Sequence, residues 1–407
     1  MSSSYLRHAV VLGLLAAIGP FAIDMYLPAL PSISKELGTT TAAAQMTLMA
    51  FFIAFGLCQI VYGPVADMVG RKPPLYFGLS VFALGGIGCG LAPNVEWLIL
   101  FRFVQGIGAA AGMVIPRAII RDLHTGHEAA RLMSLLMLVF SVSPILAPLT
   151  GSGLIAVFNW RAVFVAVTIA ALLGLVLLAL LLPETRPAAK RIRTGVGSIL
   201  AGYGVLARDR RFLGLTFIGG LGMSSFFAFL ANSSFVYIDH FGLTPTEYSV
   251  AFSVNAIGFI GASQFSALLA MRFGLSRVVM SAVTCYAAFA VLLFATRIAG
   301  IDSLPVLMTI LFLAFACLGL VIPSTMVLAL EEHGPIAGMA SALGGTLQFL
   351  TGSLMIVISS AFFDGTSVPM VTTIVACALG AFTLARLTLR TRREPEPAAA
   401  LEPGPAE

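Results

Sequence analysis

The sequence is short of charge. Asp, Glu, Lys and Arg make up 10% of its 407 residues, against about 25% in an average soluble domain. So little charge excludes a soluble enzyme, a disordered chain and a nucleic-acid binder. Catalytic signatures are missing too. There is no nucleophile elbow, no HExxH and no phosphate-binding P-loop, which excludes common hydrolase chemistry and an ATP-driven pump within this chain. Cysteines are few and odd in number, with no CxxC pair. Cys58, Cys89, Cys285, Cys317 and Cys377 all sit in apolar runs, so they read as small hydrophobes, and no metal site or cofactor is expected. His124 and His127 in a basic loop do not change that. No cleavable leader is visible either. The apolar run from Val10 continues into the body of the chain and reads as a retained span.

What the sequence has is apolar length. Hydrophobic residues make up 59%, enough for about twelve segments of about 20 residues, the length that crosses a bilayer as helix. Charges, Pro and Gly divide the chain into twelve predicted helices, near 8–30, 44–66, 74–92, 96–118, 130–156, 161–182, 211–232, 246–270, 276–296, 304–329, 336–362 and 368–389. The ten-residue alternation of a barrel is absent. The expected fold is an all-α membrane protein.

Lys and Arg orient it. With both termini on one side, Lys35, Arg161 and Arg297 fall on the opposite side and Arg102 falls within a span. The remaining nineteen of the 23 basic residues share the side of the termini. That bias assigns this side to the cytoplasm, and it explains a net charge of +5 without a polyanionic partner. The longest polar stretch, Pro183 to Arg210, contains PETRPAAKRIRTG, and 184–210 reads as a cytoplasmic basic linker. It separates an amino-terminal half, 1–183, from a carboxy-terminal half, 211–392. The Pro- and Glu-rich tail, 393–407, reads as disordered. The halves echo each other: Gly63 to Pro73 and Ala267 to Arg277 occupy the same connection, with Gly70 aligned to Gly274 and Asp67 to Met271. Two six-span repeats with a site between them is a transporter arrangement.

Of the acidic residues only Asp24 lies well inside a span, and of the basic ones only Arg102 clearly does. Charge at membrane depth is costly and points to function. Asp24 lies seven residues before Pro31, and Arg102 lies six residues after Glu96. Both are therefore about 10 Å below the same face. They either pair or face one water-filled cavity. A carboxylate's proton affinity depends on its solvation and on neighbouring cations. A site that opens alternately to the two sides would use that dependence to couple proton and substrate. Pro28 removes a helical hydrogen bond next to Asp24, and Tyr26 lies beside it.

The most specific pattern is Gly63-Pro-Val-Ala-Asp67-Met-Val-Gly70-Arg71-Lys72. It resembles the loop signature G-x-x-x-D-x-x-G-R-K/R of the major facilitator superfamily, with every fixed position present. Arg102-Phe-Val-Gln105-Gly106-Ile-Gly108 resembles that superfamily's proton-transfer motif. Span five carries Pro144 and Pro148, four apart and so on one helix face. It is similar to a degenerate antiporter motif in which Ala147 and Ser152 stand for glycines. Together with Asp24-Met-Tyr-Leu-Pro28, these features look most like the Bcr/CflA group of drug-resistance proton antiporters.

The resemblance implies twelve transmembrane helices in two six-helix bundles. It implies proton coupling at Asp24 and Arg102, and a conformational latch of Gly63, Asp67, Gly70, Arg71, Lys72 and Asp122. In that latch Arg71 meets Asp122, and Asp67 faces the start of span eleven near Ala337 and Gly338. Pro144 and Pro148 would form a hinge. Tyr26, Gln105, Phe227, Asn232 and Gln348 are the candidate substrate contacts. The expected activity is proton-coupled efflux of small amphiphilic drugs by a monomer in the bacterial inner membrane, with protons, drug and lipid bilayer as partners. A proton-coupled nutrient symporter and a non-transporting membrane sensor are the alternatives.

Overall fold

Apolar runs of this length have no water to bond their backbone inside a bilayer, so each closes its hydrogen bonds internally as helix. The computed structural model describes residues 3–191 and 195–389. Among them every regular element is helical, and twelve helices are long and apolar enough to span a membrane. In order they are Arg7–Glu36, Thr41–Val69, Lys72–Leu91, Val95–Leu123, Gly126–Val157, Arg161–Leu181, Arg210–His240, Pro245–Phe273, Leu275–Ile298, Leu304–Glu331, Ala337–Ala361 and Val368–Leu389. They are called spans one to twelve. The proposed tail at 393–407 and Arg193 of the linker lie outside the described residues.

The packing repeats. Span two packs on four, three on four, three on six, one on six and one on four; eight packs on ten, nine on ten, nine on twelve, seven on twelve and seven on ten. Every pair recurs six helices later, so each half is the same bundle. The halves meet mainly along two seams, span two against eleven and span five against eight. These are also one contact and its six-helix counterpart. The aligned glycines obey the repeat as well. Gly70 and Gly274 end spans two and eight with φ of 104° and 84°, a left-handed conformation that only glycine adopts freely.

Several spans are longer or less regular than the sequence windows. Span one ends its first helix at Asp24, turns through Met25 and Tyr26, makes a 3-10 turn at Leu27–Ala29 and resumes as helix over Leu30–Glu36. Pro28 has no N–H to continue the ladder, which accounts for the break. Span four runs on to Leu123, past the expected end near 118. Span seven finishes in a π-helical turn, Phe235–His240. The linker contains a short amphipathic helix, Val196–Arg208, whose Tyr203 hydroxyl donates to the Ile60 carbonyl of span two.

Candidate functional site

Call the end of the bundle that carries the Arg71, Asp122 and Glu184 loops the basic side. There the Gly63–Lys72 signature closes on its own half. Arg71 donates through Nε to Asp122 at 2.7 Å and through Nη2 at 3.3 Å, the contact the resemblance implies. Asp67 departs from expectation. It pairs with Arg71 at 2.9 Å and Arg186 at 3.0 Å, while Gly338, exposed at the start of span eleven, has open space around it. Gly63 differs too, because it lies inside the span-two helix with nothing near a virtual Cβ, and makes no tight turn.

The residue that organises this loop is one the sequence reading left in the linker. Glu184 accepts from the backbone N–H of Arg71 at 2.9 Å, Lys72 at 3.0 Å and Arg186 at 2.9 Å. Its carboxylate occupies the place of a Gly70 side chain, since a Cβ there would lie 2.8 Å from Oε2. Lys72 completes the clasp by donating to the Leu182 carbonyl. Burial by itself would push Glu184 up, but the backbone N–H groups outweigh it and hold the carboxyl below the ordinary range. The signal was the run Pro183-Glu184-Thr-Arg186, read only as a basic linker.

At the other depth, Asp24 and Arg102 do not pair. Among the described residues no ion pair joins them. Arg102 is 0% exposed. It donates to the Ala22 carbonyl at 3.2 Å and to Gln105 Oε1 at 2.7 Å. Its guanidinium lies 4.4 Å from the Phe51 ring centre and 4.6 Å from that of Tyr26, while Nε and Nη2 have no acceptor. Ala22 sits in the last turn of the first helix of span one, where carbonyls lose their partners. Arg102 therefore caps the helix break, a position that favours a cation, and aromatic faces solvate its charge. Asp24, two residues on, is 6% exposed. Its neighbours are Ser143 of span five and, within electrostatic range, Tyr248 of span eight. The carboxylate thus sits where the five–eight seam meets the broken span. Gly151 lets span five approach this closely, because a Cβ there would lie 2.2 Å from the Met25 carbonyl.

Two expected substrate contacts are structural here. Tyr26 is fully buried, hydrogen-bonded to Thr47 at 2.8 Å and packed against Phe164. Gln105 is spent on Arg102. These contacts lie inside the amino-terminal bundle, while Gln105 Nε2 has no partner. Phe227 and Asn232 lie at the junction of the halves, and Gln348 packs on span seven of its own half. Phe227 stacks on Phe52 of span two with ring centres 4.1 Å apart. Asn232 accepts from Gln45 of span two at 3.0 Å and donates to Ser359 of span eleven at 3.1 Å. Gln348 lies against Gly219 and keeps 9% of its surface exposed.

The junction is closed on the side opposite the basic one. Lys35 pairs with Asp239 at 2.8 Å. Ser249 and Ser253 of span eight donate to the Pro148 and Ile145 carbonyls of span five, so the proline pair lies at the closed end of this seam. Toward the basic side of the same two helices Leu135, Met137, Leu138, Ile257, Phe265 and Leu268 are exposed. The basic-side ion pairs Arg71–Asp122, Arg211–Glu332 and His333–Asp209 each stay within one half. The Lys35–Asp239 pair and the serine hydrogen bonds between spans five and eight thus gather toward the side opposite the basic one. An apolar groove of about 410 Å³ on spans two to four, lined by Val61, Val69, Phe77 and Ile107, contains none of these polar residues.

The family model described as Major Facilitator Superfamily matches residues 12–243. The chain belongs to the major facilitator superfamily. It is 38% identical over 86% of its length to the uncharacterized MFS-type transporter YdgK of Bacillus subtilis strain 168, covering 87% of that protein. It is 29% identical to the bicyclomycin resistance protein homolog of Haemophilus influenzae, over 91% of this chain and 93% of the relative. Multidrug resistance protein D of Escherichia coli K12 is also 29% identical, over 86% of this chain and 88% of that one. These names agree with the Bcr/CflA resemblance, and the family and relatives are transporters rather than enzymes. Among solved structures, a bacterial homolog of the human lysosomal transporter Spinster, in an inward-facing and unoccupied conformation, superposes with a TM-score of 0.74 at 18% identity, covering 97% of this chain and 100% of that one. A D-xylose-proton symporter gives 0.73 at 16% identity, covering 94% and 98%. At such identities the likeness is one of fold.

Proposed function

We propose that this transporter exports small amphiphilic drugs across the bacterial inner membrane in exchange for protons, with the basic side in the cytoplasm and the structure open to that side. Asp24 carries the reading. It is a carboxylate at membrane depth, with no cation paired to it among the described residues. It lies at the break of span one, against span five of its own half and span eight of the other. Movement of one half against the other changes what surrounds it. An uncompensated charge in a closed, dry seam is costly, and a proton removes that cost. Alternate exposure of Asp24 to the two sides therefore gives it two proton affinities, the requirement for exchange. Arg102 acts as a positioning residue that holds the break in span one. The signature loop, with Asp67, Gly70, Arg71, Lys72, Asp122 and Glu184, keeps the basic end of the amino-terminal bundle as one body that moves as a unit. Drug as cargo is supported by the resistance proteins among the relatives and by Phe227 and Asn232 at the junction.

The test uses purified protein in proteoliposomes with an internal pH dye. Drugs are added one at a time against an imposed pH gradient. Drug-dependent proton flux is expected in the wild type and absent in Asp24→Asn, with drug binding retained. Undiminished flux in Asp24→Asn would move the coupling group elsewhere.

A further inference from the structure

A second arginine lies inside span four, and nothing above uses it. The expected end of that span near 118 left Arg117 at its edge, counted with the basic residues of the cytoplasmic side, but the helix continues to Leu123. Arg117 is six residues inside the helix end and fifteen beyond Arg102. It is therefore about 9 Å within the span and about 22 Å from the capping arginine.

Its surroundings are apolar. The guanidinium lies 5.5 Å from the Phe140 ring centre of span five. One Nη contacts the Met113 sulfur at 3.7 Å, and Nε is buried with no acceptor. Among the described residues no carboxylate comes within ion-pair distance. The neighbouring charged group is another cation, Arg121, one turn along the helix. Asp122 is committed to Arg71, and Glu128 to His124. Phe140 places Arg117 on the side of span four that faces span five, the seam helix. The side-chain hydrogen bonds from span eight reach span five at Pro148 and Ile145, toward the other side, and near Phe140 Met137 and Leu138 are exposed. A half-buried guanidinium with apolar walls and no anion is an incomplete ion pair. Arginine's planar fork suits a carboxylate or similar acidic group.

We propose that Arg117 captures the acidic group of cargo entering from the basic side, with the cargo's aromatic or aliphatic body lying on Phe140 and Met113. This rests on the transporter reading and deepens it: the cargo class includes amphiphiles that carry an acidic group.

The test is equilibrium binding to purified protein in phosphatidylcholine nanodiscs, using 2-naphthoate and its uncharged counterpart 2-naphthamide. The wild type binds the carboxylate about tenfold tighter than the amide, the size expected of one hydrogen-bonded charge pair. Arg117→Gln binds the two equally, with amide affinity unchanged. Arg117→Lys keeps part of the preference, and Arg121→Gln keeps all of it. A wild type that shows no preference, or binds neither probe, overturns the proposal. So does an Arg117→Gln protein that keeps the preference, the result for an arginine that only reaches toward lipid headgroups. Equal weakening of both probes also overturns it, since that is the mark of a gate or a packing role. No proton gradient is involved. Loss of drug-dependent flux with an intact carboxylate preference would therefore sink proton exchange alone.

Discussion

Phe52 and Phe227 lie face to face across the junction of the two halves, ring centres 4.1 Å apart and planes within 3° of parallel. Phe349 of span eleven tilts against both, at 5.8 Å and 5.3 Å. Gly352 makes room for the stack, because a Cβ there would sit 2.2 Å from the Phe227 ring. The rings belong to opposite halves, so opening of the closed end separates them.

The stack therefore stabilises the structure seen here over its alternate. An aromatic pair is worth about 0.5–1.5 kcal/mol beyond its buried area. Phe227→Leu keeps most of the apolar bulk and loses that contribution, shifting the population about twofold to thirteenfold toward opening on the Lys35 side. A cysteine at position 231, buried at the junction where the Ala231 carbonyl accepts from Gln45, reports the shift in a background lacking the five native cysteines. Its labelling by a membrane-impermeant maleimide is expected to rise by that factor. Unchanged labelling would mean that the polar contacts of Gln45 and Asn232 alone hold the seal.

Asp24 and Arg102 are close in sequence-derived depth but act on different partners. Groups with no shared partner and more than about 7–10 Å apart contribute additively to stability, within about 0.5 kcal/mol, and neither charge counts the other among its electrostatic partners. A thermal-unfolding cycle of Asp24→Asn, Arg102→Lys and the double variant is expected to show coupling no larger than that. Arg102→Lys alone costs about 1–2 kcal/mol, because the ammonium gives up the fork that reaches Ala22 and Gln105 and the flat contact with Phe51 and Tyr26. Strong coupling in the cycle would restore the direct ion pair.

Glu184 makes a pH prediction. Its folded-state carboxyl is held below the ordinary range. Such a group contributes stability above its unfolded pKa and loses it as pH falls through the lower, folded value. Glu184→Gln is therefore expected to melt below wild type at neutral pH, with a constant gap down to the ordinary carboxylate range. The gap narrows only when pH is taken lower still. A gap that closes between pH 7 and 6 would show that another group is responsible.

The sequence by itself determined much of this protein. Twelve apolar runs in a medium without water leave the backbone no choice but helix, so span number follows from composition. The left-handed turns at Gly70 and Gly274 and the break at Pro28 were legible because glycine and proline act locally on φ and on one N–H group. The contact of Arg71 with Asp122 followed from a complete loop signature. Partnerships between distant segments were not legible in this way. A charge's depth can be counted along a helix, but its direction around the axis is set by packing. Arg102 therefore turned to the Ala22 carbonyl and two rings instead of Asp24. Tyr26 and Gln105 were drawn into the same buried network. Glu184 bonds backbone N–H groups, which carry no sequence signature, and Asp67 chose Arg186 because the start of span eleven is not against it. Only the tertiary structure decided which end of the junction is shut, since that depends on two rigid bundles tilting against each other, and one sequence serves both tilts.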